Sequence, residues 1–142
     1  MSEQVKARVR QFYEDVINAG AIDRVDEFCT EDFVDHEEFP GIPGTREGVK
    51  QFFAMMRSAF PDFRIDIDDI VADGDKVAVL MRMSGTQEGE FMGMPASHKR
   101  FEIVAVDWLR MEGGEKAAEH WGAGDMLSMM QQLGAIPEQA PA

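Results

Sequence analysis

The chain has a single cysteine, Cys29, among 142 residues. No intrachain disulfide can form, and with it goes the stapled secreted scaffold; a reducing, cytoplasmic setting is expected instead. Apolar neighbours surround Cys29 in "VDEFCTEDF", which reads as a small buried hydrophobe rather than a nucleophile. No run approaches the roughly 20 apolar residues of a membrane span, and "MSEQVKARVR" lacks the apolar stretch of a secretion signal. Basic residues are scarce: 14 against 27 acidic ones, for a formal net charge of -13. Binding to phosphate backbones or anionic membranes requires clustered Lys and Arg, so nucleic acid and membrane are excluded as expected partners. There are no repeats and no low-complexity stretches. One domain over residues 1–142 is expected, with 137–142 a loose tail.

Two chemical signatures are also missing. The three histidines, His36, His98 and His120, are not spaced for a zinc hydrolase, and a lone Cys cannot build a thiolate site, so no metal is expected. "GVKQFF" and "EGEFMGMP" lack the glycines and the strand-to-helix setting of a nucleotide loop. No Ser/His/Asp or Cys/His nucleophile pattern stands out.

What is present is a change of period. Val5, Val9, Phe12, Tyr13 and Val16 recur at helical spacing over residues 3–19, and Gly20 stops them. A short helix follows over 22–29. "DHEEFPGIPG" reads as a loop, because two Pro and two Gly exclude regular structure. Thr45 caps a third helix carrying Val49, Phe52, Phe53 and Met56 on one face, ending before Pro61. Beyond Pro61 the period becomes 2. Phe63, Ile65 and Ile67 alternate with charged residues, and the adjacent Asp68 and Asp69 predict a bulge. Asp73-Gly74 marks a tight hairpin, whose return strand puts Val77, Val79, Met81 and Met83 on one face. "RFEIVAVDWLRM" and "EKAAEHW" supply two further strands around Gly113-Gly114. Met126, Leu127, Met129, Met130 and Leu133 form a last helical stripe.

Helices first and a meandering sheet after them predict an α+β fold. A twisted antiparallel sheet with helices on one face curls into an enclosed, mostly apolar pocket. Two residues break the pattern. Asp107 sits among the apolar Phe101, Ile103, Ala105, Leu109 and Met111, where it either knits the core through Arg46, Arg57 or Arg82 or serves a site; with Val104, Val106 and Trp108 inward instead, it would face solvent. On the last strand His120 alternates with Trp121, so one of the two points inward. Asp125, directly before the final stripe, is positioned as a helix N-cap.

"FVDHEEFPGIPGTREGVKQFF", "FPDFRIDIDDIVADGDKVAV", "GTQEGEFMGMP" and "AEHWGAGDMLSMMQQLGAIP" together resemble the SnoaL-like polyketide cyclases, over nearly the whole chain. The resemblance implies a cone-shaped curved antiparallel sheet wrapped around N-terminal helices, as in ketosteroid isomerase and nuclear transport factor two, assembled as a homodimer or homotetramer through the outer sheet face. It implies a cofactor-free enzyme that closes a ring by intramolecular aldol condensation of an apolar carbonyl substrate. It places the acid/base at Asp125, with His36 at the pocket entrance and His120 and Trp121 on the strand leading to Asp125. His36 or His120 would position a substrate oxygen, Trp121, Phe52, Phe53 and Met56 would line the substrate, and Asp107 would orient His120 or Asp125. Ser97-His98-Lys99 and the small Gly122, Ala123 and Gly124 depart from the family's usual residues. A hydrolase or dehydratase in the same fold, and a non-catalytic binding domain, are the alternative readings.

Overall fold

The computed structural model describes residues 2–137. Helix α1 (Ser2–Gln11) buries Val5 and Val9 and runs into a π-helical turn, Phe12–Ile17, in which Asn18 N–H bonds Tyr13 C=O at 2.9 Å. Such a turn carries one extra residue and re-aims the side chains that follow; here Tyr13, Val16 and Ile17 all point into the core. A 3-10 segment covers Ile22–Glu27. Strand β1 (Cys29–Asp35) leads to a loop and helix α2 (Arg46–Ala59), whose Thr45 Oγ1 accepts Gly48 N–H at 3.2 Å. Strands β2 (Arg64–Asp73), β3 (Lys76–Thr86), β4 (Arg100–Glu112) and β5 (Lys116–Gly124) follow, then the short helix α3 (Met126–Gln132).

The five strands form one curved, unclosed sheet in the order β1-β5-β4-β3-β2. The four long strands are antiparallel neighbours, whereas β1 runs parallel to β5. The sheet is therefore mixed, not wholly antiparallel as expected. The residues assigned to the end of a helix (Cys29) and to a loop (Asp35) begin and end β1. Only Cys29 and Phe33 of this strand are buried, so it shows no clean alternation. The parallel pairing also comes without a hairpin to announce it.

The bulge at the Asp pair is present. Ile67 pairs Met81 and Asp69 pairs Leu80, leaving Asp68 unopposed. Since a strand's faces alternate with period 2, one extra residue switches the inward set from Ile65 and Ile67 to Ile70 and Ala72. At the β2–β3 turn Gly74 has φ +62°, a backbone shape that glycine takes without penalty.

The core lies between the inner sheet face and the helices. Val16, Ile17, Val25, Val77 and Val79 are completely buried, and Phe60 meets Phe91 and Phe101 edge-to-face at 5.2 and 4.9 Å. The outer face is different. Val71, Ala78, Trp108 and Trp121 make a row across four strands through successive pairs, with Leu80, Val104 and Val106 beside it. All but Ala78 are exposed. Among the described residues, no helix is long and apolar enough to cross a membrane. The expected tail lies, from residue 138 on, outside the described residues.

Candidate active site

A cavity of about 200 Å³ opens between α1, α2 and the inner face of β3, β4 and β5. Phe28, Phe33, Phe52, Phe53, Met56 and Met81 are among the side chains that wall it. An apolar cavity of about 150 Å³ accepts benzene, so this one suits one or two rings.

Polar groups gather on one wall. Phe101, Ile103, Ala105, Leu109 and Met111 of β4 are buried, which fixes the phase of the strand and turns Asp107 inward with them. On β5, His120 is opposite Leu109 and Gly122 opposite Asp107, so Asp107 and His120 are diagonal neighbours on one face. His120 Nε2 lies 2.6 Å from Asp107 Oδ1. On the other side, β1 ends with Asp35 beside His120, where His36 N–H bonds His120 C=O at 2.8 Å. His120 Nδ1 accordingly reaches Asp35 Oδ1 at 2.8 Å. The Tyr13 hydroxyl, aimed by its π turn, donates to Asp107 Oδ2 at 2.5 Å. The result is one chain, Tyr13–Asp107–His120–Asp35.

Its charge state follows from the surroundings. Burial pulls the His120 pKa down, but hydrogen bonds to Asp107 and Asp35, together with their negative charges, outweigh it and push the value up to about 10. His120 is therefore an imidazolium at neutral pH, with both N–H groups donating to carboxylates. The Tyr13 phenol is pushed well above its ordinary value, first by burial and then by the charge of Asp107, so it remains a donor. Glu37, in the loop after β1, brings Oε2 to 3.9 Å from His120 Nε2. Its carboxyl is raised by burial, then by the charge of Asp107, and is partly relieved by His120.

Gly122 makes this convergence possible. A Cβ there would stand 2.7 Å from Asp107 Oδ1 and 2.8 Å from His120 Nε2, and would press on Glu37 Oε2 as well. The absent side chain leaves the three groups room to meet. Glu37, Asp107 and His120 also bring possible ligand atoms within 4.8 Å of one another. A cation there would have to displace the His120 Nε2 proton from its bond to Asp107, and the hydrogen-bond pattern fits a proton at that place.

The structure separates the residues expected at the site. His120, Asp107, Phe52, Phe53 and Met56 border the cavity. Asp125 does not. Its exposed carboxylate accepts Ser128 N–H at 3.1 Å as the N-cap of α3. Gly124, the next residue inward on β5, faces the cavity, and the chain leaves the strand immediately after it. His36 and Trp121 are likewise outside: alternation along β5 sends Trp121 to the outer face, where the His36 ring stacks on it at 4.6 Å. His36 Nε2 is 2.8 Å from Glu119 Oε2, and Arg110 holds the other oxygen at 2.6 Å. The arginines expected near Asp107 are engaged elsewhere. Arg46 pairs with Asp26, Arg57 donates to the Ile17 carbonyl, and Arg82 pairs with Asp68 on the outer face. Tyr13, Asp35 and Glu37 escaped sequence reading as site residues. Tyr13 looked like one more member of a helical core stripe, and the two acids fell in a segment read as a loop.

The family profile described as SnoaL-like polyketide cyclase matches residues 7–133. The chain belongs to that family. A comparison with curated proteins gives no match. Among solved structures, TsrD from Streptomyces laurentii is 29% identical with a TM-score of 0.79, the alignment covering 94% of this chain and 95% of that one. IdmH from Streptomyces antibioticus, a candidate polyketide cyclase, is 31% identical over 92% of this chain and 99% of its own, with a TM-score of 0.78. AclR from Streptomyces galilaeus, a candidate hydroxylase, shares the fold at a TM-score of 0.83, with 24% identity over 97% of this chain and 85% of that one. As a family member the chain has the fold of a polyketide cyclase, and Tyr13, Asp107 and His120 all fall within the matched span.

Proposed function

We propose that this protein is a cofactor-free acid/base enzyme that enolises a small apolar carbonyl compound and guides the enol onto a second carbonyl, closing a ring. The observation that carries this reading is the Tyr13–Asp107–His120–Asp35 chain on the wall of an otherwise apolar cavity. Enolisation places negative charge on the carbonyl oxygen. An imidazolium fixed between two carboxylates is a pre-organised positive charge beside that oxygen, and against apolar walls its effect is larger than in solution. A carboxylate on the same wall removes the proton from carbon. Ketosteroid isomerase, which sets a carboxylate base and polarised donors in an apolar pocket, is the chemical precedent. Phe52, Phe53 and Met56 supply the walls for the ring.

Asp125, His36 and Trp121 have no role in this reading, since they are not among the residues that border the cavity. The apolar outer sheet face supports assembly as a homodimer or homotetramer.

A second reading, hydrolysis or hydration, is supported by the Glu37 and Asp107 oxygens lying within 4.8 Å of each other, a spacing at which one water bridges two carboxylates. The two readings separate in one experiment. The protein is incubated with 2-tetralone, a fused bicyclic ketone, in D2O, and proton NMR follows deuterium entry beside the carbonyl. Acceleration by the protein supports enolisation; an inert protein contradicts it.

A further inference from the structure

Four carboxylates of the described residues border the cavity, Asp35, Glu37, Glu38 and Asp107; Asp35, Glu37 and Asp107 lie around His120, and these three are not equivalent. Asp107 accepts Tyr13 O–H at one oxygen and His120 N–H at the other. Asp35 accepts His120 N–H and the Glu37 backbone N–H at Oδ1. Each hydrogen bond to an ionised carboxylate stabilises the anion and weakens it as a base. Among the described residues, none donates a side-chain hydrogen bond to the Glu37 carboxylate, whose Oε2 lies against Gly122 and 3.9 Å from His120 Nε2.

We propose that Glu37 is the catalytic base of this site, taking the proton from the substrate carbon, while Asp107 and Asp35 hold the His120 imidazolium as the charge that stabilises the enolate oxygen. The inference rests on the enolising reading above and assigns its roles to particular residues. The step balances without an oxidant. The C–H bond breaks and its proton goes to the Glu37 carboxylate. The released electron pair forms the C=C bond as the carbonyl π pair moves to oxygen, which the positive charge of the His120 imidazolium stabilises, its Nε2 proton being shared with Asp107. The enolate carbon then attacks a second carbonyl, whose π pair moves to its oxygen and takes the proton from Glu37, or the carbon itself takes that proton back.

Two features fit Glu37 for this. Its backbone N–H is tied to Asp35 Oδ1 at 2.9 Å, which fixes the start of the loop against β1. Its side chain is 42% exposed, so a proton it has taken can exchange with solvent at the mouth. The charged and titratable groups facing it are Asp107 from β4, His120 from β5, Asp35 from β1 and Tyr13 from the π turn. Arg8, the cation that also borders the cavity, lies over the Phe28 ring and donates to the carbonyls of Glu27 and Glu115. The cation facing Glu37 is therefore His120. Burial and Asp107 raise the Glu37 carboxyl, toward the range where a base works at neutral pH.

The test uses deuterium exchange into 2-tetralone as a function of pH with wild type, Glu37→Gln and Asp107→Asn. For wild type the rate rises with pH along an acidic limb above the ordinary carboxylate range, as Glu37 ionises. It falls again near pH 10 as His120 loses its proton. Glu37→Gln keeps size and shape at a half-exposed position, and an unchanged melting temperature shows that it folds. The expected result is a rate lowered by about 10²- to 10⁴-fold with the acidic limb gone. Asp107→Asn keeps the acidic limb and moves the alkaline limb below 10, because His120 has lost a carboxylate partner. An accelerating wild type whose acidic limb survives in Glu37→Gln and disappears in Asp107→Asn overturns the assignment while leaving the enolising reading intact. A wild type inert toward the ketone at every pH overturns both.

Discussion

The hydroxyl of Tyr13 and the carboxylate of Asp107 meet at 2.5 Å across 94 positions of sequence. The contact joins the N-terminal helical segment to the middle of the sheet and gives Asp107 Oδ2 a donor that the sheet alone does not offer. In Tyr13→Phe that oxygen is left unpaired in a part-buried place. A hydrogen bond to a charged group contributes about 1.5–3 kcal/mol. The variant should lose stability of that order in urea unfolding, keep its fold, and retain more activity than a variant lacking His120.

The pH dependence of stability is a second consequence. The folded His120 pKa, about 10, lies above the ordinary 6.5 expected for the unfolded chain. A raised basic group stabilises the fold fully below pH 6.5, and that contribution disappears as pH climbs through about 10. The stability advantage of wild type over His120→Gln should therefore be largest below pH 6.5 and shrink toward pH 10. Removing one partner of a buried ion pair costs about 3–5 kcal/mol, so the difference is measurable by denaturant titration. An advantage that is flat from about pH 6 to 10 would contradict the charge state assigned to His120.

Gly122 has a sharper prediction. Gly122→Ala places a methyl group against Asp107, His120 and Glu37. The strand lies away from the left-handed region at this residue, so the backbone accepts alanine and the fold should persist. The three polar groups must separate. A displacement of about 1 Å in catalytic geometry lowers rates by roughly 10²-fold. NMR titration should also show the His120 midpoint falling from about 10 toward 6.5.

The outer face makes the fourth. Trp108 and Val106 are exposed on the central strand β4, with Leu80, Val104 and Trp121 around them. If a second copy covers this apolar face, Val106→Lys buries an unpaired charge at the interface and should convert the oligomer to monomer in light scattering. A monomeric wild type would contradict the proposed assembly.

Much of this fold was legible in the sequence, and the reasons are visible at single positions. The Asp68–Asp69 pair announced the bulge because alternation failed there. Asp73-Gly74 announced the hairpin because few other pairs turn a chain so tightly. The period of β4 offered two facings for Asp107, and the burial of Phe101, Ile103, Ala105, Leu109 and Met111 decides for the inward one. Strand β1 was not legible: three acidic residues and a parallel partner far along the chain leave no period to detect. For the site, alternation established that only one of His120 and Trp121 faces inward, but not which. That choice depends on the diagonal between β4 and β5, a matter of register. Family resemblance drew attention to Asp125, which lies one residue past the end of β5 and so beyond the strand that aims the polar wall. Capping was the reading its immediate neighbours supported, and Ser128 N–H is where its carboxylate goes.

The central claim is that acid/base chemistry resides in the chain running through His120 and not at the helix cap. The most direct measurement compares deuterium exchange into 2-tetralone by wild type, His120→Gln and Asp125→Asn, each checked for folding. Asp125→Asn retains a capping oxygen and should exchange within about twofold of wild type, whereas His120→Gln should lose about 10²-fold or more. Full activity in His120→Gln with activity lost in Asp125→Asn would contradict the account.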